Sequence, residues 1–449
     1  MKIPSFKNNK LSYTRIIALF FLGVIILGTL LLTLPISSKS REWTPLLDCA
    51  FTATSATCVT GLIVYDTFSH WSLFGQTVII SMIQVGGLGV MTIITMFSVF
   101  LKKKISLHER KLLMESSGTV RKSGIIRLLK QIVTGTLIFE GTGALLLATR
   151  FCPELGFFNG LRYSVFHSVS AFCNAGFDLM GRYGSFSSLT PFADDAVVNL
   201  TICILIITGG IGYLVWQDVL NFKSDFKKYS LQSKIVLVTS AVLVLGGWLL
   251  MLVCEWNSSM AQLSPGKKIL AAFFQSVTAR TAGFNTVPLN ELSSAGLMAM
   301  VVLMFIGGSP GSTAGGVKTT TVAVMIIELI AVARGEKSPT VFKRRLEEDT
   351  VKKAGAIITI YMLAITLAVI IIGAVEGFPL GDVVFEVVSA AATVGLTTGI
   401  TPTLGAVSHL ILMLLMYGGR LGGLTLMIAF AERQQTAMLT RPTEKIQIG

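Results

Sequence analysis

Four stretches of this chain, 16–34, 131–149, 235–253 and 356–375, are apolar throughout and hold no more than one charge each. Each is close to the roughly 20 residues a helix needs to cross a bilayer. After each comes a shorter run of small and apolar residues, at 45–57, 160–173, 267–279 and 381–392, and then a second long apolar stretch, at 72–101, 197–216, 295–333 and 406–431. Runs of about 10 to 14 residues are too short to span and read as re-entrant helices. The order of span, half-span and span therefore occurs four times. The pattern predicts an all-α polytopic membrane protein with eight transmembrane helices and four pore-type half-helices.

The half-spans share a phrase of eleven residues, a Phe, nine residues and a Gly: Phe51 to Gly61 (FTATSATCVTG), Phe166 to Gly176 (FHSVSAFCNAG), Phe273 to Gly283 (FFQSVTARTAG) and Phe385 to Gly395 (FEVVSAAATVG). The spacing between glycines, 115, 107 and 112 residues, marks internal repetition. A glycine lets the backbone leave helical space and aim consecutive carbonyls one way. Four such turns on one axis would stack rings of carbonyl oxygens that replace the water shell of a potassium ion. The expected filter residues are Val59, Thr60, Gly61 and Leu62; Asn174, Ala175, Gly176 and Phe177; Thr281, Ala282, Gly283 and Phe284; and Thr393, Val394, Gly395 and Leu396. Four tandem pore repeats follow, at 14–101, 125–222, 231–334 and 351–437, with no independent soluble domain.

Composition supports a membrane setting, since 52% of residues are apolar and only 14% are charged, against about 25% charged in soluble domains. The net charge of +13 suggests nucleic acid until its distribution is read. Of the 37 Lys and Arg, 27 lie in residues 1–15, 101–130, 221–234, 333–353 and after 431, and seven more lie in the alternate loops. That asymmetry excludes a nucleic-acid role and places both termini in the cytoplasm of a cell-membrane protein. The basic start and the run 16–34 lack a small-residue cleavage site and read as a retained first span. The six cysteines sit in or beside apolar segments without CxxC spacing, as packing residues rather than disulfides or metal ligands.

Every second span carries a glycine pair: Gly86-Gly87, Gly209-Gly210, Gly307-Gly308 and Gly418-Gly419. In the first two copies close packing or a kink explains the pair. The third copy continues as GGSPGSTAGGVKTTT, Gly307 to Thr321, too polar and glycine-rich for a helix. Irregular backbone at membrane depth is tolerated only where protein buries it or water reaches it. It is therefore expected to lie as a flexible loop, including Gly307, Gly308, Ser309, Gly311, Gly315, Gly316 and Lys318, in an aqueous cavity beneath the filter. An ordinary loop between two shorter spans would leave an odd number of crossings. The stretch nearly spells a phosphate-binding loop, but Val317 intrudes before Lys318 and no strand precedes it, so nucleotide binding by this chain is rejected.

Ionisable residues within spans are expensive and usually functional or paired; here they are Glu140, Arg280, Lys318, Glu328, Glu386 and Arg420. Arg420 follows the fourth glycine pair, at the depth of the third-repeat loop. It reads as a barrier or latch acting with that loop, the alternative being an ion pair with Glu328 or Glu140. Arg280, the only charge within the four phrases, reads as a brace behind the turn, with Glu386 of the next repeat as a candidate partner. The four histidines (His70, His108, His167, His409) share no metal-ligand spacing, and no catalytic motif is present. No nucleophile or acid/base pair can be assembled, so an enzyme is disfavoured. The remaining rival is a cation-coupled secondary transporter of a small solute, though such proteins usually show two related halves rather than four equivalent loops.

With the fourfold phrase, the GGSPGSTAGG loop and Arg420 in order, residues 14 to 431 resemble the membrane subunit of bacterial Ktr-type potassium uptake systems, in the superfamily of Trk and plant high-affinity potassium transporters. The resemblance implies a pseudo-fourfold pore in each chain, potassium as the transported ion, a homodimer and a docked cytoplasmic ring of nucleotide-binding regulatory subunits (RCK-type). The segments 102–124 and 333–353 would be the natural contact surface for that ring. It also implies a gate over Gly307 to Lys318 with Arg420. Sodium-favouring plant members resemble this pattern with Ser at the first glycine, so Gly61 points to potassium. Sodium as an activator, known in some relatives, is not readable here.

Overall fold

A computed structural model of the chain describes residues 13–89, 125–336 and 338–422. The first repeat contains α1 (Tyr13–Thr33), α2 (Leu46–Thr57), the single turn α3 (Thr67–His70) and α4 (Leu73–Leu88). The second contains α5 (Ile125–Leu155), α6 (Phe157–Phe172), α7 (Ala196–Gly210) and α8 (Tyr213–Phe222). In the third are α9 (Leu231–Glu255), α10 (Pro265–Thr278), α11 (Ser294–Phe305) and α12 (Thr319–Ala333), and in the fourth α13 (Glu348–Val375), α14 (Leu380–Ala392) and α15 (Ala406–Leu421). The chain is thus mostly helical. One two-residue hairpin departs from the helical pattern, pairing β1 (Thr340–Val341) with β2 (Arg344–Arg345) through Phe342 and Lys343, both at positive φ.

Helix starts follow capping chemistry. Ser72, Asp195, Ser230 and Ser293 each accept a backbone N–H from the first turn of α4, α7, α9 and α11, satisfying donors that have no intrahelical partner. The half-helices begin at proline or glycine instead: Pro45 before α2, Gly156 before α6, Pro265 opening α10 and Pro379 before α14.

Among the described residues four helices, α1, α5, α9 and α13, are long and apolar enough to cross a membrane, or five if α7 and α8 count as one bent span. Only 22 to 33% of their apolar windows is buried, so most of each faces outward as lipid-facing surface would. The half-helices are the opposite case: Phe51, Phe172, Phe274 and Phe385 are fully buried, and all four belong to one continuous apolar core. The outer helices wrap a centre made of the half-helices.

Two expectations need correction. The stretch 197–216 is not one continuous helix, because α7 and α8 meet at 95°. Gly212 at the joint has φ +98, and Tyr213 N–H donates to Gly311 O (2.9 Å) in the third repeat rather than back into α7. An out-of-helix acceptor ends the helix. The second correction is that α5 begins at Ile125, before the expected 131. The expected continuations 90–101 and 423–431, and the basic segment 102–124, lie outside the described residues.

Candidate functional site

Each half-helix ends in the same backbone sequence. Val59, Asn174, Thr281 and Thr393, two residues before the glycines, have φ of 57, 58, 68 and 54°, and Gly61, Gly176, Gly283 and Gly395 have φ of 100, 71, 84 and 90°. Positive-φ residues on either side of a single residue take the chain out of helical space and re-aim its carbonyls. β-branched residues seldom adopt this region, so its recurrence at three of them marks a conformation imposed by the surroundings.

The four turns meet. A Cβ placed on Gly61 would lie 2.5 Å from Ala175 O, one on Gly176 2.8 Å from Ala282 O, and one on Gly283 2.5 Å from Val394 O, while one on Gly395 would strike Thr60 O. Each glycine thus abuts the carbonyl of the next repeat in cyclic order, and the fourth closes on the first. Leu62, Phe177, Phe284 and Leu396, which follow the glycines, are all buried. The four glycines and the carbonyls of Thr60, Ala175, Ala282 and Val394 therefore form one ring.

Hydroxyls on the half-helices pin the turns, and they were not among the expected site residues. Ser55 Oγ accepts from Gly61 N–H (3.0 Å) and Ser389 Oγ from Gly395 N–H (3.1 Å). Ser170 Oγ donates to Phe177 O (2.7 Å) and Thr278 Oγ1 to Phe284 O (2.6 Å). The signal lies in the phrases themselves, where Ser55, Ser170 and Ser389 share one offset from the glycine and Thr278 sits one place later. At the base of the ring, the Asn174 amide and the Thr281 hydroxyl are 3.3 Å apart.

The polar stretch of the third repeat lies directly against these turns. Between α11 and α12 it folds back on itself, with Gly307 N–H on Val317 O (2.9 Å) and Thr319 N–H on Gly308 O (3.1 Å). Ser309 N–H donates to Gly210 O (3.0 Å) and Thr313 N–H to Gly209 O (3.2 Å) at the end of α7. Thr313 Oγ1 donates to Phe172 O (3.1 Å), the last carbonyl of α6. A Cβ on Gly315 would strike the Thr393 side chain, and one on Gly316 would lie 3.0 Å from Ala392 O. Lys318 turns inward and donates to Ala314 O (2.7 Å) and Gly315 O (3.3 Å). Ser309 is fully buried, and its hydroxyl is 3.1 Å from that of Thr319; Gly311 supplies the acceptor for Tyr213.

Arg420 reaches this loop from α15. Its guanidinium donates to Thr313 O in the loop and to Gly86 O and Gly87 O (3.2 Å for the last) at the end of α4. No carboxylate pairs with it among the described residues, so neither expected ion-pair partner is engaged. Glu140 instead accepts from Gln84 (3.3 Å) beside Cys173. The Arg280–Glu386 pairing also fails: Arg280 donates to Ser240 on α9 (3.2 Å), and Glu386 accepts from Thr401. Arg280 is buried behind its turn rather than in the ring. A nearby hydroxyl outcompetes a carboxylate that belongs to another repeat.

Past the turns, polar side chains hold the loops that follow. His167 is 2.7 Å from Tyr163 O through Nδ1, and its Nε2 accepts from Leu179 N–H, tying the loop after the second turn to α6. Asp66 accepts from Ser69 N–H and Phe186 N–H, and Asp178 from Met180 N–H (2.8 Å). Burial, with Asp66 nearby, pushes the Asp178 carboxyl up to about 7. No group of His, Cys, Asp and Glu suited to hold a metal ion occurs among the described residues.

The family profile described as "TrkH: Cation transport protein" matches residues 12–441. "Potassium/sodium uptake protein NtpJ" of Enterococcus hirae is 38% identical over 449 residues, covering 98% of each chain. "Ktr system potassium uptake protein B" of Bacillus subtilis is 38% identical over 425 residues, 94% of each chain. Among solved structures, the crystal structure of the potassium transporter TrkH from Vibrio parahaemolyticus superposes with a TM-score of 0.74 at 18% identity, over 96% of this chain and 87% of that one. That likeness establishes the fold.

Proposed function

The chain belongs to the TrkH family of cation transport proteins, and from that premise we propose that it carries potassium into the cell through the ring of four glycine turns. Membership makes it a multi-pass membrane transporter rather than an enzyme. The potassium assignment draws on the relatives named potassium uptake proteins and on the presence of glycine at all four turns.

One observation carries the reading: each glycine lies against the preceding carbonyl of the next repeat, around a closed ring. Carbonyls gathered in that way can replace the hydration shell of a monovalent cation. The four half-helices end at the ring, and their C-terminal partial negative charge favours a cation there. In this reading eight spans surround the ring, each repeat is one quarter of the pore, and both termini are cytoplasmic. The loop 307–318 lies across the inner end of the path, and Arg420 latches it to the first repeat. A cytoplasmic regulatory partner, suggested by relatives named as Ktr system components, would release the latch; the assembly would be a homodimer.

The test is growth of a potassium-uptake-deficient strain on limiting potassium with and without this chain, expressed with the regulatory subunit of a Ktr system. The proposal requires rescue by potassium-selective uptake. Failure to rescue by a chain that reaches the membrane intact contradicts it.

A further inference from the structure

The helix break that holds the loop also walls a groove on the outside of the molecule. Lys130, Gly135 and Ile138 of α5, Ile207 of α7, Val219 of α8 and Leu237 of α9 enclose a cavity of about 660 Å³. Its walls run directly into exposed apolar surface, with Leu137, Val238 and Val242 open on the flanking helices. The groove is therefore continuous with the lipid-facing side of the protein. Two polar atoms of lining residues, Tyr213 Oη and Gln131 Oε1, are buried without a hydrogen-bond partner. Tyr213 itself is 7% exposed.

One end of the groove is basic. Lys130 lines it, and Lys223 caps α8 one turn beyond Val219. Both are exposed, and neither pairs with a carboxylate among the described residues. The nearby acids are committed elsewhere: Asp225 to Lys228, and Asp218 to the N–H and hydroxyl of Ser230. An apolar trough with unpaired lysines at its rim matches an acyl chain with a negatively charged headgroup.

We propose that this groove binds an anionic phospholipid of the inner leaflet, which props the break between α7 and α8 and so holds the gating loop in place. The coupling is short. Ile207, Thr208, Ile211 and Tyr213 line the groove, while Gly209 O, Gly210 O and Tyr213 N–H of the same stretch hold Thr313, Ser309 and Gly311 of the loop. The inference rests on the reading of 307–318 as a gate and of 221–234 as cytoplasmic.

The test uses the purified full-length chain, reconstituted without a regulatory partner in phosphatidylcholine vesicles with or without phosphatidylglycerol. Lipid retention is read by native mass spectrometry, which needs no conduction, and potassium flux is read separately. Phosphatidylglycerol is retained in preference to phosphatidylcholine and lowers basal flux. Lys130→Gln weakens that retention about fivefold and restores the flux seen in phosphatidylcholine, whereas Lys130→Arg behaves as wild type. Deleting 309–316 makes flux indifferent to the lipid. Equal retention of the two lipids, unchanged retention in Lys130→Gln, or flux that ignores bound phosphatidylglycerol would each overturn the proposal. Absence of flux in pure phosphatidylcholine would instead count against the transport reading, with the retention result standing on its own.

Discussion

Replacing Gly61 by Ser tests the ring at its most constrained point. Gly61 has φ +100, a region where an L residue carries about 1 to 3 kcal/mol of strain. Its new Cβ would lie 2.5 Å from Ala175 O, 3.2 Å from Gly176 Cα and 3.3 Å from the Gly395 Cα. All three neighbours are backbone, so no side chain can swing aside. Reaching ordinary contact requires the Ala175 carbonyl to move by roughly half an ångström or more. That carbonyl belongs to the ring, and displacing it changes the fit to one ion more than to another. If about 1 to 3 kcal/mol of preference is lost, discrimination between potassium and sodium falls by roughly 5- to 150-fold. The assay is the potassium-to-sodium permeability ratio in proteoliposomes. Gly61→Ala carries the same Cβ and should share the loss, whereas Gly23→Ser, with nothing within 4 Å of its Cβ position, should not. A Gly61→Ser protein that folds and keeps the wild-type ratio would refute the reasoning.

Three further outcomes follow from the same geometry. Arg420→Ala removes charge-assisted bonds to three carbonyls, each worth about 1.5 to 3 kcal/mol, and should raise potassium flux tenfold or more without a regulatory partner; Arg420→Lys should fall between. Deleting 309–316 should also raise flux in a folded protein, because Gly307 N–H already bonds Val317 O and the cut ends lie close together; flux that stays the same or falls contradicts the latch. Asp178, two residues after Gly176, is neutral below about pH 7 and charged above it, and a negative charge so close to the ring attracts cations. Initial uptake at limiting potassium should therefore rise between pH 6 and 8, and Asp178→Asn should flatten the rise. Because this carboxyl is raised from its ordinary 3.8 to about 7, the folded state holds the extra proton, and its contribution to stability is lost as pH climbs from 3.8 to about 7 and changes no further above that.

The helix pattern is legible in the sequence because lipid and core impose different lengths. The half-spans expected at 45–57 and 381–392 compare with α2 at Leu46–Thr57 and α14 at Leu380–Ala392, since a proline opens each and a glycine turn ends it. Repetition at fixed spacing also pointed to four equivalent turns, which the structure brings together. Partners of isolated polar groups were not legible. Arg280 bonds Ser240, and Arg420 bonds main-chain carbonyls, choices set by tertiary approach rather than by charge. The break after Gly210 was likewise hidden, because 197–216 is apolar throughout and its interruption depends on a carbonyl, Gly311 O, about a hundred residues away in the chain. The pinning hydroxyls Ser55, Ser170, Thr278 and Ser389 lay in plain view within the aligned phrases, but serine in an apolar half-helix carries no signature of its own.

The most direct test is to locate a heavy potassium substitute in the protein. Crystals grown with thallium or rubidium should show anomalous density on the axis encircled by the carbonyls of Thr60, Ala175, Ala282 and Val394, and Gly61→Ser should weaken it. A ring that stays empty while the ion occupies another path through the helices would contradict the account.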